Sequence, residues 1–187
     1  IRKSVANVNY KNVVLDSLNS TIYLTEKGMK IGFGSIGKGY AADKGRELMQ
    51  SLGVKGGIIN AAGDISTWGT QLDGKPWKIG VKNPFETGET AAVLEFSTNK
   101  AVTTSGTYEK YAEIDGKRYS HIINPKTGFP SMGITSVTVI GENAEMCNGF
   151  STSILVLGLK KGLKLIKKYP DYQYIILTNE GKIIQNF

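Results

Sequence analysis

One lysine stands among three glycines in Gly34-Ser-Ile-Gly-Lys-Gly-Tyr-Ala-Ala-Asp43, with an apolar, strand-like approach at Met29–Phe33 before it and a helical pattern directly after it. Strand, glycine turn and helix start present backbone N–H groups and the positive end of a helix dipole to an anion. Lys38 adds a full charge to that end. The spacing from Gly32 to Gly37-Lys38 is that of a nucleoside-triphosphate loop, but Gly39 occupies the position where Ser or Thr must reach Mg²⁺. The region also lacks a parallel strand–helix–strand setting, so that class is rejected. A loop placing Lys38 near a diphosphate remains, beside the plainer role of turning a strand into a helix.

Two further constellations could do chemistry. His121, the only histidine, sits in Arg118-Tyr-Ser-His-Ile-Ile-Asn-Pro125 at the end of a hairpin strand. Strand alternation puts Tyr119, His121 and Ile123 on one face and Ser120 and Ile122 on the other. A lone histidine suits either a hydrogen-bonded structural role or proton transfer at neutral pH. It is flanked in sequence by the polar turns Thr104-Ser105-Gly106 and Thr127-Gly128. Asn148, Ser151 and Thr152 lie at helical spacing and share one helix face. Oxygen ligands of this kind suit a hard cation such as Mg²⁺. Without a carboxylate they suit equally a packed helix contact satisfied by the backbone.

The elements that must position these groups follow from periodicity. Val13–Asp16, Thr21–Thr25 and Met29–Phe33 read as a β-meander ending at the glycine loop. Gly39–Leu52 reads as a helix closed by Gly53. Gly57–Asn60 is a buried strand, and Ile65–Gly69 with Trp77–Val81 is expected as a hairpin around Asp73-Gly74. Ala91–Phe96 and Ala101–Thr104 are strands, with Thr104-Ser105-Gly106 interrupting the pattern. Tyr108–Ile114 and Lys117–Ile123 flank Asp115-Gly116, a hairpin signal. A rigid loop from Asn124 to Pro130 and a strand at Ser136–Ile140 precede a helix running from Glu142 or Asn143 to Leu157. An amphipathic helix Lys160–Tyr169 and a hairpin of Tyr172–Thr178 with Lys182–Phe187 close the chain. The class is α+β with mostly antiparallel sheet. The order strand pair, helix, strand pair occurs twice and suggests an internal duplication.

Composition narrows the function. The 187 residues, 40% apolar and 21% charged, suit one domain with a real core. The net charge of +7 fits an anionic ligand, but the 23 Lys and Arg are scattered without an aromatic-lined basic stripe, which argues against nucleic acid. One cysteine, Cys147, and one histidine make no disulfide and no zinc site; a buried, inert thiol is expected. No run of about 18 apolar residues is present. The chain opens on Ile1 without a visible signal peptide, as a fragment or processed form would.

Taken together, these blocks resemble the ApbE-like family of FAD:protein FMN transferases. The resemblance is carried by Lys38-Gly-Tyr-Ala-Ala-Asp43, Asn60-Ala-Ala-Gly-Asp-Ile65, Thr104-Ser-Gly106 with Tyr108, Tyr119–Pro130, and Ser136-Val-Thr-Val139 followed by Asn148 to Thr152. It implies a T-fold-like α+β architecture of mostly antiparallel sheets packed with helices. It implies a single flavin-transferase domain over residues 1–187, matching the C-terminal two-thirds of the family's catalytic domain. The implied activity is Mg²⁺-dependent transfer of FMN from FAD to a Thr or Ser hydroxyl of a target flavoprotein, releasing AMP. The implied acceptors are flavoprotein subunits of membrane redox complexes. The implied place is periplasmic, on the outer face of the bacterial cytoplasmic membrane, through an N-terminal lipid anchor that this chain does not carry.

By matching position, His121 and Lys38 are the implied catalytic residues. Gly32, Lys38, Tyr40, Asp43, Asp64, Thr104, Ser105, Gly106 and Ile123 are implied to bind FAD. Ser35, through its carbonyl, and Asn148, Ser151 and Thr152 are implied to hold the metal. The family pattern has Asp where this chain has Asn148, and often where it has Gly32 and Asn124, so weaker metal affinity is expected here. The same diphosphate-binding set would also suit a metal-dependent FAD pyrophosphatase giving FMN and AMP. The Asn148 departure and the missing upstream part would suit a non-catalytic flavin-binding domain.

Overall fold

Alternation along Ile134–Gly141 sets the architecture. Val137 and Val139 point to one side of this strand and Ile140 to the other, and all three are buried. A strand buried on both faces must lie inside a sheet covered on both sides. The computed structural model, which describes residue 5 and residues 7–86, 88–108 and 110–187, shows that arrangement. Its strands are β1 (Val13–Asp16), β2 (Thr21–Leu24), β3 (Gly57–Ala61), β4 (Asp64–Trp68), β5 (Trp77–Lys82), β6 (Thr90–Phe96), β7 (Lys100–Gly106), β8 (Tyr111–Ile114), β9 (Lys117–Ser120), β10 (Ile134–Gly141), β11 (Gln173–Thr178) and β12 (Ile183–Gln185). Its helices are α1 (Gly37–Ser51), α2 (Ala144–Leu157) and α3 (Leu159–Ile166).

One antiparallel six-stranded sheet runs in the order β12-β11-β10-β7-β4-β3. The helices cover one face, where Ile154, Phe150 and Cys147 of α2 and Ala42 of α1 meet Val137, Val139, Ile176 and Ala101. The β5–β6 ribbon covers the other, where Ile79, Val81 and Leu94 meet Val102, Ile140, Ile175 and Leu177. The class is therefore α+β with mostly antiparallel sheet, as the periodicity indicates. The α1 helix ends in a Schellman arrangement: Gly53, at φ 84°, donates to Gln50 O, and Val54 N donates to Met49 O at 3.1 Å.

Several expectations are corrected. Residues 29–33 form no strand; the chain runs without regular structure and mostly exposed into the glycine loop, and the helix starts at Gly37. The strand at Ile65 does not pair with Trp77–Val81. It pairs with β3 across the two-residue turn Ala62-Gly63, both at positive φ, while β5 pairs with β6. That turn geometry matches the twist of a tight hairpin. Thr104-Ser105-Gly106 does not interrupt a strand; β7 runs through it to Gly106. His121 lies one residue past β9 rather than within it. Glu109, inside the expected strand Tyr108–Ile114, lies outside the described residues, and the strand proper begins at Tyr111.

Ile154 is fully buried at the centre of the helix–sheet core, with Gly162 of α3 against its side chain. Ile154→Ala is expected to lower stability by about 2–5 kcal/mol, read from urea unfolding midpoints, because the packed neighbours cannot collapse into the space.

Candidate active site

The start of α1, the β3–β4 turn, the end of β7, the segment after β9 and one face of α2 enclose a cleft of about 590 Å³. Directly behind its lining is Asp64, the first residue of β4, with no solvent exposure. A carboxylate in such a place needs compensating partners. Lys38 Nζ lies 3.3 Å from Asp64 Oδ1 and donates to Ala62 O at 3.2 Å. The Asn148 side-chain amide of α2 donates to Asp64 Oδ2. Burial raises the Asp64 pKa above its ordinary value, and the Lys38 charge, the Asn148 amide and the Gly39 N–H pull against that rise. With its nitrogen on Asp64, Asn148 keeps its amide oxygen as the remaining acceptor.

His121 is at the exposed mouth of the cleft. Its Nδ1 lies 2.8 Å from the Lys110 carbonyl oxygen, and its backbone N–H donates to the same oxygen at 3.1 Å. A carbonyl oxygen only accepts, so Nδ1 carries the hydrogen. In the neutral ring the lone pair is then on Nε2, which is the nitrogen able to take a proton. The segment beyond is held by Asn124, whose Oδ1 accepts from Lys126 N at 2.9 Å and whose Nδ2 donates to Val156 O of α2 at 3.3 Å. Ile123 bridges to Pro130 and forms the rim shared with an adjoining apolar cavity of about 580 Å³.

The ApbE family model matches residues 1–176 of the chain. The chain belongs to the ApbE family. It is 34% identical to an FAD:protein FMN transferase of Klebsiella pneumoniae over 185 residues, which is 98% of this chain and 57% of that protein. The crystal structure of an ApbE protein from Thermotoga maritima superimposes with a TM-score of 0.90 at 34% identity, covering 99% of this chain and 60% of that one. The apo flavinyl transferase ApbE of Pseudomonas stutzeri gives a TM-score of 0.81 at 28% identity, covering all of this chain and 57% of the other. The chain thus spans rather more than half the length of these relatives.

The cleft brings together most of the residues that the ApbE pattern implies. Ser35, Lys38, Thr104, Ser105, Gly106, His121, Ile123, Asn148 and Thr152 all line it, and Asp64 lies beneath Lys38. Four implied residues stand elsewhere. Gly32 is in the exposed approach, outside the cleft lining. Tyr40 is half exposed on the outer side of α1, with Lys44 Nζ 5.8 Å from its ring centroid. Asp43 is buried against the start of α2, where it accepts from the backbone N–H groups of Ala144 and Glu145. Ser151 is fully buried and takes no place in the lining; its hydroxyl is engaged by Ser105 Oγ at 2.8 Å and the Asn148 carbonyl at 3.1 Å.

The oxygen-rich cleft also bears on the metal. Among the described residues, no three His, Cys, Asp or Glu side chains cluster. What the lining offers is the Asn148 amide and the Thr152 hydroxyl, with one carboxylate, Asp64, directly behind them, all hard donors. Mg²⁺ is commonly held by one or two carboxylates together with substrate phosphates, so this donor set fits it. The carboxylate beside Asn148 was not legible from helix spacing, because Asp64 arrives from a strand 84 residues away. The backbone carbonyls of Lys110 and Ala62, which orient His121 and Lys38, leave no side-chain signal in the sequence at all. Cys147 is buried and its thiol pKa is pushed up by that burial, which makes it inert.

Asp64 yields a pH prediction. The folded chain holds its proton more tightly than the unfolded chain, whose value is 3.8, so this group's contribution to stability is present below 3.8 and lost as pH rises through the raised folded value. The urea midpoint of wild type minus that of Asp64→Asn should therefore fall with rising pH over that window in metal-free buffer. A difference that stays flat, or rises, would refute the assignment.

Proposed function

We propose that the chain transfers FMN from FAD to a Thr or Ser hydroxyl of a target flavoprotein, releasing AMP. The observation that carries this reading is the convergence of Lys38, the Asp64–Asn148 pair and His121 on one cleft, with charge at the floor and a free ring nitrogen at the mouth. The coarser statement, flavin transfer, is the activity named for the relatives. Lys38 and the first turn of α1 would hold the diphosphate of FAD by charge and backbone N–H groups. The apolar cavity that meets the cleft at Ile123 has the lining a planar ring system needs.

Mg²⁺, held by Asp64, Asn148, Thr152 and the Ser35 carbonyl, would neutralise diphosphate charge when bound. The acceptor oxygen forms its bond to the flavin-side phosphorus as the bond from that phosphorus to the bridging oxygen breaks, and AMP leaves with the electron pair. His121 Nε2 takes the hydroxyl proton, while the Lys110 carbonyl keeps the ring oriented through Nδ1. His121→Ala should slow flavin attachment by about 10²–10⁴-fold with FAD binding retained, followed by in-gel flavin fluorescence of an acceptor flavoprotein subunit and chromatography of AMP. If wild type labels the acceptor no faster than the variant at saturating FAD and Mg²⁺, the reading fails. FMN and AMP appearing equally fast without acceptor would point to a pyrophosphatase instead.

The acceptors that go with this reading are subunits of membrane redox complexes, met at the outer face of the cytoplasmic membrane. No helix among the described residues is long and apolar enough to cross a membrane. Protease added to intact spheroplasts should digest the protein in its native host, and protection there would refute the placement.

A further inference from the structure

Asp43 is the most heavily engaged carboxylate outside the cleft. Its Oδ1 accepts from Ser66 Oγ at 2.5 Å and from Ala144 N at 3.0 Å, and its Oδ2 accepts from Glu145 N at 3.0 Å. Arg46 Nη2 lies 3.4 Å from Oδ1, and Arg46 Nη1 donates to Glu142 O at 2.9 Å. These partners belong to three elements, and each element carries one of Lys38, Asp64 and Asn148. Asp43 itself follows Lys38 on α1. Ser66 is two residues from Asp64 on β4 and therefore on the same face. Ala144 and Glu145 open α2, one turn before Asn148.

A second observation is independent of the carboxylate. The residue preceding α2, Asn143, makes no side-chain cap, so the orphan N–H groups of that helix depend on a carboxylate from another helix. A third is Gly39, which packs so closely on Ala144 that an added Cβ would run into the Ala144 carbonyl oxygen. The crossing of α1 and α2 is thus set by backbone contact beside Lys38 and by Asp43 one turn further on.

We propose that Asp43 is a positioning residue: a single buried carboxylate that fixes Lys38, Asp64 and Asn148 relative to one another without touching the substrate. It acts on flavin nucleotide binding only through those three residues, and in that respect the proposal rests on the transferase reading. Outer residues that orient ligands typically matter by about 10–100-fold in affinity or activity.

The test uses the full chain and Asp43→Asn, which keeps the side-chain shape and removes the charge and one strong acceptor. Hydrogen–deuterium exchange should speed up by about tenfold or more in peptides covering the starts of α1, β4 and α2, with β10 and β11 still protected. At a temperature where circular dichroism shows the variant folded, the Kd for FAD with Mg²⁺ should rise about tenfold. In a double-mutant cycle with Lys38→Ala, the two effects on Kd should combine less than additively. Loosening confined to 144–146 with an unchanged Kd would reduce Asp43 to a local cap and overturn the proposal, as would strict additivity. If Asp43→Asn does not fold, Ser66→Ala removes one of the bonds and should give the same exchange pattern at smaller amplitude; an unchanged pattern overturns it. A wild-type chain that binds no FAD would count against the transferase reading, and the exchange pattern would then decide on Asp43 by itself.

Discussion

A carboxylate sealed from solvent is the constraint from which the site follows. Asp64 opens an interior strand, next to the sheet edge, and has no exposure, and a charge so placed is tolerated only when cations and donors are brought to it. The sheet cannot supply them, since the neighbours of Asp64 across the ladder are Ala61 and Thr103. They come instead from the two helices, as the Lys38 ammonium of α1 and the Asn148 amide of α2. The convergence of α1, β4 and α2 is therefore demanded by electrostatics at one atom pair as much as by the apolar core beneath it. The same desolvation that raises the pKa of Asp64 also strengthens its attraction for any cation that reaches the cleft.

Beneath this pair the sheet is unusually polar. Thr103, Thr104 and Ser105 follow one another along β7, between two apolar cores. Each hydroxyl is satisfied by a different neighbour: Thr103 by Ala144 O at 3.4 Å, Thr104 by Thr138 at 2.8 Å, and Ser105 by Ser151 at 2.8 Å. Thr103 is buried while Thr104 and Ser105 reach the cleft, and hydroxyls satisfied in this way stiffen the structure around them. Two of the three bonds cross from sheet to α2, so the helix carrying Asn148 and Thr152 is pinned along its length. A rigid support of this kind is what a site needs when its geometry must hold to within a fraction of an ångström.

Local chemistry was legible in the sequence where it is encoded in contiguous residues. The glycine–lysine turn, the Schellman end at Gly53, the Asp115-Gly116 hairpin and the Asn148/Thr152 helix face all follow from short-range rules and recur in the structure. Pairing between strands was less legible, because alternation along Ile65–Gly69 says which face is buried and nothing about which strand lies alongside. The Asp73-Gly74 turn signal then drew the wrong partner, while the less typical Ala62-Gly63 made the real hairpin. Residue types also misled where one side chain can serve two ends. Asp43, in a motif that points to a ligand, is spent on a helix end, and Ser151, at ligand spacing, is spent between Ser105 and a carbonyl.

The cleft separates its charges from its base, and the transferase reading gives that separation a physical reason. The diphosphate side gains from the Lys38 ammonium, which reaches the cleft while the Asp64 carboxylate behind it stays sealed. The nucleophile side must stay open, because a hydroxyl carried by another protein has to enter from outside. His121 meets that need, with an exposed ring held by the Lys110 carbonyl so that Nε2 is the nitrogen left free. Water reaches the same nitrogen by the same route, and nothing in the ring's orientation distinguishes it from an acceptor hydroxyl. On the transferase reading, an acceptor chain that displaces water from the mouth as it binds would itself disfavour hydrolysis.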